Sequence, residues 1–231
     1  MLFRFILILL LALCKPAFAQ AQPDAAQPMS TQCHGTHVTV VAKDGPDIDD
    51  MCRGAVAALE FFRFHGLTKT VPTQLEVVDQ LPYGGSSAAV GCFSRVERRA
   101  YALSFKSFLE RKVWLGMRVT RGLYASIATH EVAHALTACN ANDFPLSVQA
   151  TEYIAFTAML FSMKPELRSQ VLALYPDADF ASDWDVTDVA YALDPIRFGV
   201  SSYRHFLREG DKAALLGAIM AGTLFGPRQM Y

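Results

Sequence analysis

The sequence predicts an α+β fold: a small β-sheet with one helix in the N-terminal half, and a helical C-terminal half. Three observations carry this. The β-branched and alternating runs fall early, at 37–41, 74–78, 88–93 and 99–105. From residue 122 onward the apolar segments are longer and follow helix-start signals such as Ser147, Pro165 and Pro195. The early helical stretch, 47–65, separates the first two strand-like runs.

The elements follow in order. Residues 1–19 read as a secretory signal peptide: Arg4 supplies the basic start, 5–14 the apolar run, and Ala17-Phe18-Ala19 the small-x-small cleavage site. Residues 20–30, rich in Ala, Gln and Pro, read as a flexible leader, and 31–231 as one domain. After the strand at 37–41, Asp44-Gly45-Pro46 makes a turn. Acids at 47–50 start a helix, where its dipole favours them, and Gly66 ends it. The strand at 74–78 leads through a Pro- and Gly-rich loop to the runs at 88–93 and 99–105, which suit a hairpin. Residues 106–112 fit either a helix or a strand. Helices are expected at 122–139, from Ser147 to Met163, and from Pro165. An acidic loop, 177–188, leads into a helix near Val189, and the last helices span 195–209 and 212–224. The apolar stretch 213–225 is too short to span a bilayer, so no stable membrane anchor is expected after signal cleavage.

Without residues 1–19 the chain carries 19 basic and 22 acidic side chains. That balance argues against nucleic acid as a partner, which demands a basic excess. Four cysteines remain, Cys33, Cys52, Cys92 and Cys139, an even count that suggests two disulfides in an exported protein. The expected pairing is Cys33–Cys52, which closes a short loop, leaving Cys92–Cys139.

Chemistry concentrates at His130-Glu131-Val132-Ala133-His134. Two His four positions apart stand one turn apart on one helix face, so both imidazoles reach one metal ion. The intervening Glu is placed to act as a base toward a water on that metal. Glu131 is the only charged residue between Gly122 and Cys139, on an otherwise apolar helix. Burying three ionisable groups there is costly unless something pairs them, and a zinc ion does so. A third ligand is required. The metzincin pattern fails, because Thr137 and Asn140 stand where it has Gly and His. Glu152 is the better candidate, the only charged residue between Pro145 and Met163. A short loop between the two helices favours antiparallel packing, which folds Glu152 back toward His130 and His134. Asp143, in the turn, is the competing ligand.

Across residues 121–163 the sequence resembles the gluzincin, thermolysin-like zinc metallopeptidases. The resemblance rests on His130-Glu131-x-x-His134 followed by Glu152, with a gap slightly shorter than the family's. It implies Zn2+ as cofactor, held by His130, His134 and Glu152, and Glu131 as general base toward a water activated by that zinc. It also implies a Tyr or His from a later helix as oxyanion donor. Tyr203 and His205 are the candidates, and only one of them is expected to point inward because they lie two apart. The expected activity is hydrolysis of a peptide or protein substrate in the periplasm or outside the cell. The alternative is a zinc-binding envelope or secreted module without peptidase activity.

Three other features have plainer readings. Cys33-His34-Gly35-Thr36-His37 reads as the start of a strand with exposed His. The acids at 177, 179, 183, 185 and 188 lack the Gly and bidentate Glu of a calcium loop and read as a solvated loop with caps. The basic run from Arg95 to Arg121 reads as a solvated face.

Overall fold

The computed structural model describes residues 27–82, 89–142 and 146–226. The signal segment, most of the leader, and Asp143 lie outside these residues.

The fold is α+β, as expected. A five-stranded mixed sheet contains β1 (Met29–Gln32), β2 (Val38–Ala42), β3 (Thr73–Val78), β4 (Gly91–Ser94) and β5 (Arg99–Leu103), in the order β1-β2-β3-β5-β4. The β2, β3 and β5 strands are mutually parallel, while β1 and β4 run antiparallel at the two edges. The hairpin formed by β4 and β5 is the one the sequence suggests, but β5 inserts beside β3, so β4 becomes an edge. The leader reading is corrected at its end: Met29 and Ser30 begin β1, where they pair with Ala42 and Val41. The β1 strand is exposed throughout, so no buried face marks it in the sequence.

Helix α1 (Gly45–Phe64) links β2 to β3, and its first turn carries Pro46 and Asp47. A short helix, α2 (Phe105–Leu109), capped by Ser104, resolves the segment that fits either structure. It leads into a small hairpin, β6 (Val113–Trp114) and β7 (Met117–Arg118), which no sequence pattern announces. Then come α3 (Arg121–Asn140), α4 (Val148–Ser162), α5 (Pro165–Leu174), a 3-10 turn at Asp183–Asp185, α6 (Asp188–Leu193), α7 (Pro195–Arg208) and α8 (Lys212–Met220). No helix among the described residues is long and apolar enough to cross a membrane.

The centre of the molecule is α3, with 14 of its 20 residues buried. A helix apolar on all sides must be covered on all sides. The sheet, α1 and α4 do this. Backbone approaches backbone where α1 crosses α3: a Cβ on Gly54 would collide with the Ala125 carbonyl and lie 2.7 Å from Ala128 Cβ. Thr129 Oγ1 donates to the Gly54 carbonyl at 3.1 Å across this contact. The start of α3 is tied to α1 by Arg121, whose Nη1 lies 2.7 Å from Asp47 Oδ1 and 2.9 Å from Asp50 Oδ2. These contacts fix α3 along and around its axis.

Cys33 and Cys52 form a disulfide between the β1–β2 connection and α1. The bond fits an oxidising compartment. The expected Cys92–Cys139 bridge is absent, and both thiols are free. Cys92 lies on β4 near Glu131. Cys139 is eight residues further along α3, about 12 Å at 1.5 Å per residue. There its Sγ donates to the Lys69 carbonyl at 3.2 Å. A disulfide needs Cα atoms about 5–6 Å apart. The acidic loop behaves as caps and pairs: Asp185 accepts from Ser182, and Asp179 pairs with Arg208. The basic run is only partly a solvated face, since Arg99 pairs with Glu76 and Arg121 with Asp47 and Asp50.

Two outcomes follow. The chain from residue 20 onward, unfolded without reductant, should titrate with two thiols. Four would remove the disulfide, and none would restore the second bridge. The second outcome concerns His65, which is packed against Phe61, Phe64, Phe161 and Phe206 at centroid distances of 4.8, 5.0, 5.7 and 5.3 Å. Burial, and then the Lys212 ammonium, push its imidazole below the ordinary value. A depressed His pKa means that the unfolded chain takes up the proton first. The stability tied to neutral His65 is therefore complete above pH ~6.5 and lost as pH falls through the lower folded value. Urea unfolding between pH 7 and 5 should show a smaller loss of stability in His65→Leu than in the wild type. Equal losses would contradict it.

Candidate metal centre and its cleft

The α3 and α4 helices pack side by side and bring the two halves of the sequence motif together. Ser147 starts α4 by accepting from the Ala150 N–H at 3.2 Å, as its position before the apolar run suggests. His130 Nε2 and His134 Nε2 lie 3.2 Å apart. The Glu152 carboxylate closes the triangle, with Oε2 3.4 Å from His130 Nε2 and Oε1 3.5 Å from His134 Nε2. Among the described residues these three form the one cluster of potential metal ligands, with donor atoms within 4.8 Å of one another. The Phe156 ring supports His130 edge-on at 4.6 Å, and Gly199 of α7 leaves the space that Phe156 fills. His130 Nδ1 is buried and has no hydrogen-bond partner among the described residues.

Protonation at His134 and Glu152 matches a ligand set, while His130 holds its proton more tightly and would release it to a metal. Burial pushes His134 down to about 4, so it is neutral and offers a lone pair. Burial works to raise Glu152, but the two imidazoles and Tyr191 outweigh it and hold the carboxyl near 2. Burial likewise opposes charge on His130, and Glu152 overcomes it, so His130 is raised. Glu131, 5% exposed, is pushed up to about 8 by burial.

The triangle sits in a cleft of about 900 Å³. One wall is β4. Gly91 and Phe93 turn toward α3. A Cβ on Gly91 would stand 2.5 Å from Glu131 Oε1, so this position has no room for a side chain. The Phe93 ring stacks near-parallel to His134 at 6.5 Å. The opposite wall comes from α4 and α6. Tyr191 of α6 lines the cleft beside Glu152 and helps to hold its carboxyl down.

Of the residues predicted from sequence, His130, Glu131, His134 and Glu152 meet. Tyr203 and His205 do not join them, and neither lines the cleft. Tyr203 is buried beneath the Arg168 guanidinium, 5.8 Å from its ring. His205 Nδ1 pairs with the Tyr153 hydroxyl at 2.8 Å, and its Nε2 faces Asp183 at 3.3 Å. The expectation that only one of them points inward fails because both lie on the wide buried face of α7. The residues that sequence reasoning missed are Gly91, Phe93 and Tyr191. An isolated Gly inside a strand-like run signals close approach by another group, and that signal was available at Gly91. Nothing local marks Tyr191.

The chain matches the family of unknown function DUF6639 over residues 38–228. It belongs to that family. The matched span includes every residue of the triangle and its cleft. No curated protein and no solved structure matches the chain.

The close approach at Gly91 has a measurable consequence that needs no assay of activity. Gly91→Ala should destabilise the fold by about 1–3 kcal/mol through overpacking. Adding Glu131→Ala should recover most of that loss in thermal unfolding. Strict additivity of the two substitutions would contradict the contact.

Proposed function

We propose that this chain is an exported zinc-dependent metallopeptidase of the gluzincin type, with His130, His134 and Glu152 as zinc ligands and Glu131 as general base. The observation that carries this reading is the convergence of two imidazole nitrogens, 3.2 Å apart, on one carboxylate whose Oε2 lies 3.4 Å from the first and whose Oε1 lies 3.5 Å from the second. Ligands about 2.1 Å from a tetrahedral zinc stand about 3.4 Å from one another. Three protein ligands leave one position for solvent or substrate, the hallmark of a catalytic rather than a structural site. The signal-like segment 1–19 and the Cys33–Cys52 disulfide support work in the periplasm or outside the cell.

When bound, zinc would acidify a water molecule and polarise the substrate carbonyl. The rest of the chemistry belongs to the side chains. Glu131 is the base: beside a bound cation its carboxyl would ionise more readily than burial alone allows, and it accepts the proton of the attacking water and returns it to the departing amine. Gly91 lets β4 pass directly over that carboxylate. Tyr191, which lines the cleft beside Glu152, orients that carboxylate. Burial and the neighbouring Glu152 raise its phenol, so it keeps its proton at any working pH. Among the described residues β4 is the edge strand of the sheet and lines the cleft, and an edge strand can take an extended peptide as an added strand, which favours a peptide substrate. A binding module without activity would require neither Glu131 nor an open cleft.

The test is hydrolysis of a peptide library by the zinc-loaded protein. Glu131→Gln should lower turnover by about 10³-fold while still binding one zinc per chain. Undiminished turnover in that variant would remove Glu131 from the mechanism. Tyr191→Phe should weaken zinc binding by about 10–100-fold in a competition titration. Unchanged affinity would show that the Tyr191–Glu152 contact does not tune the site.

A further inference from the structure

The β4 wall of the cleft is a row of residues that ends in a cation. Residues two apart on a strand share a face. Gly91 stands against Glu131, and Phe93 stacks on His134. Arg95 is next in this alternation, the first residue past the end of β4, and it too lines the cleft. Its charge reaches the ligand cluster. Burial is the chief cause that depresses the His134 imidazole, Glu152 opposes it, and His130 and then the Arg95 guanidinium add to the depression.

The other charged residues that line the cleft are already engaged. His130 and His134 face Glu152, and Glu131 is buried against Gly91. Asp194 caps α7, where it accepts from the Arg197 N–H at 3.0 Å. Arg111 donates to the Ala89 carbonyl at 3.3 Å. Arg95 is exposed and makes no hydrogen bond or ion pair with a described residue. In this it differs from Arg99 and Arg121 of the same basic run, which pair with carboxylates.

An unpaired guanidinium on an open surface is ordinary, because water solvates it. This one stands in a cleft with mostly apolar lining, Phe93, Trp114, Leu115, Ile127 and Phe156 among it. A ligand that displaces water there strengthens the pull of the guanidinium on an anion. The group of choice is a carboxylate, which matches two parallel guanidinium N–H donors. A metal held by two neutral imidazoles and one carboxylate keeps a positive balance, so it favours the same sign of ligand as Arg95 does.

We infer that Arg95 is a specificity-determining residue that receives a carboxylate of the bound peptide, so the chain prefers substrates with an acidic side chain or a free C-terminus near the cleaved bond. This rests on the peptidase reading above. The test uses neutral decapeptides, acetylated and amidated, with a single Glu, Gln or Lys moved one position at a time, and a parallel set with a free C-terminus. The zinc-loaded protein digests them in competition, and mass spectrometry gives relative kcat/KM. At one position relative to the cut, Glu should exceed Gln by about tenfold, or the free C-terminus should exceed its amide by about as much. The first result assigns the carboxylate to a side chain, the second to the chain end. In Arg95→Gln the ratio should fall to near one, and Arg95→Glu should prefer Lys, or the amide, at the same place. Each ratio is taken within one variant, so it does not depend on how much of that variant is active. Wild-type ratios near one throughout, or a preference that survives in Arg95→Gln, would overturn the inference while leaving the peptidase reading intact. No cleavage of any peptide would overturn both.

Discussion

Three ionisable side chains occupy an apolar helix–helix contact, and each is tolerated there only because the other two are present. An isolated carboxylate or imidazolium in such surroundings carries a penalty of several kcal/mol. His130, His134 and Glu152 answer it mutually, within 3.5 Å of one another. The arrangement demands that two helices meet at one rotation and one axial offset. Gly54, which lets α1 lie directly on α3, and the Arg121 pair with Asp47 and Asp50 hold one helix. The Ser147 cap and the Phe156–Gly199 contact hold the other. The core is thus organised around an electrostatic requirement, and its small residues serve that requirement.

The sheet contributes to the same end through its topology. Because β5 sits inside, β4 is left at the edge of the sheet, with no further strand beside it among the described residues. Edge strands are usually blunted or covered. This one lines the cleft, with Gly91 cleared for Glu131. An edge strand, a buried Glu131 and a cluster of three potential ligands within one cavity are hard to explain by stability alone.

Much of this is legible in the sequence where a residue contradicts its local surroundings. Glu131 and Glu152 are lone charges on apolar helices, and both turn out to be where burial makes them matter. Ser147 before an apolar run gives the start of α4, and the close pair of cysteines gives the observed disulfide. Legibility stops where the answer depends on which neighbour docks where. Adjacent residues on a helix point about 100° apart. Glu152 faces α3, so its neighbour Tyr153 faces α7, and His205 pairs with Tyr153 instead of reaching the cleft. Tyr191 sits on a helix of six residues, too short for a periodic signal. Cys92 and Cys139 obey the even-count rule and still do not meet, because counting thiols does not bring an edge strand to the end of a helix.

The most direct measurement is X-ray absorption at the zinc edge of the zinc-loaded protein. The account predicts one zinc bound by two imidazole nitrogens and by oxygens at about 2.0–2.1 Å, without sulfur, and loss of that signal in His130→Ala and His134→Ala. Zinc bound through sulfur, or a spectrum unchanged by those substitutions, would contradict it.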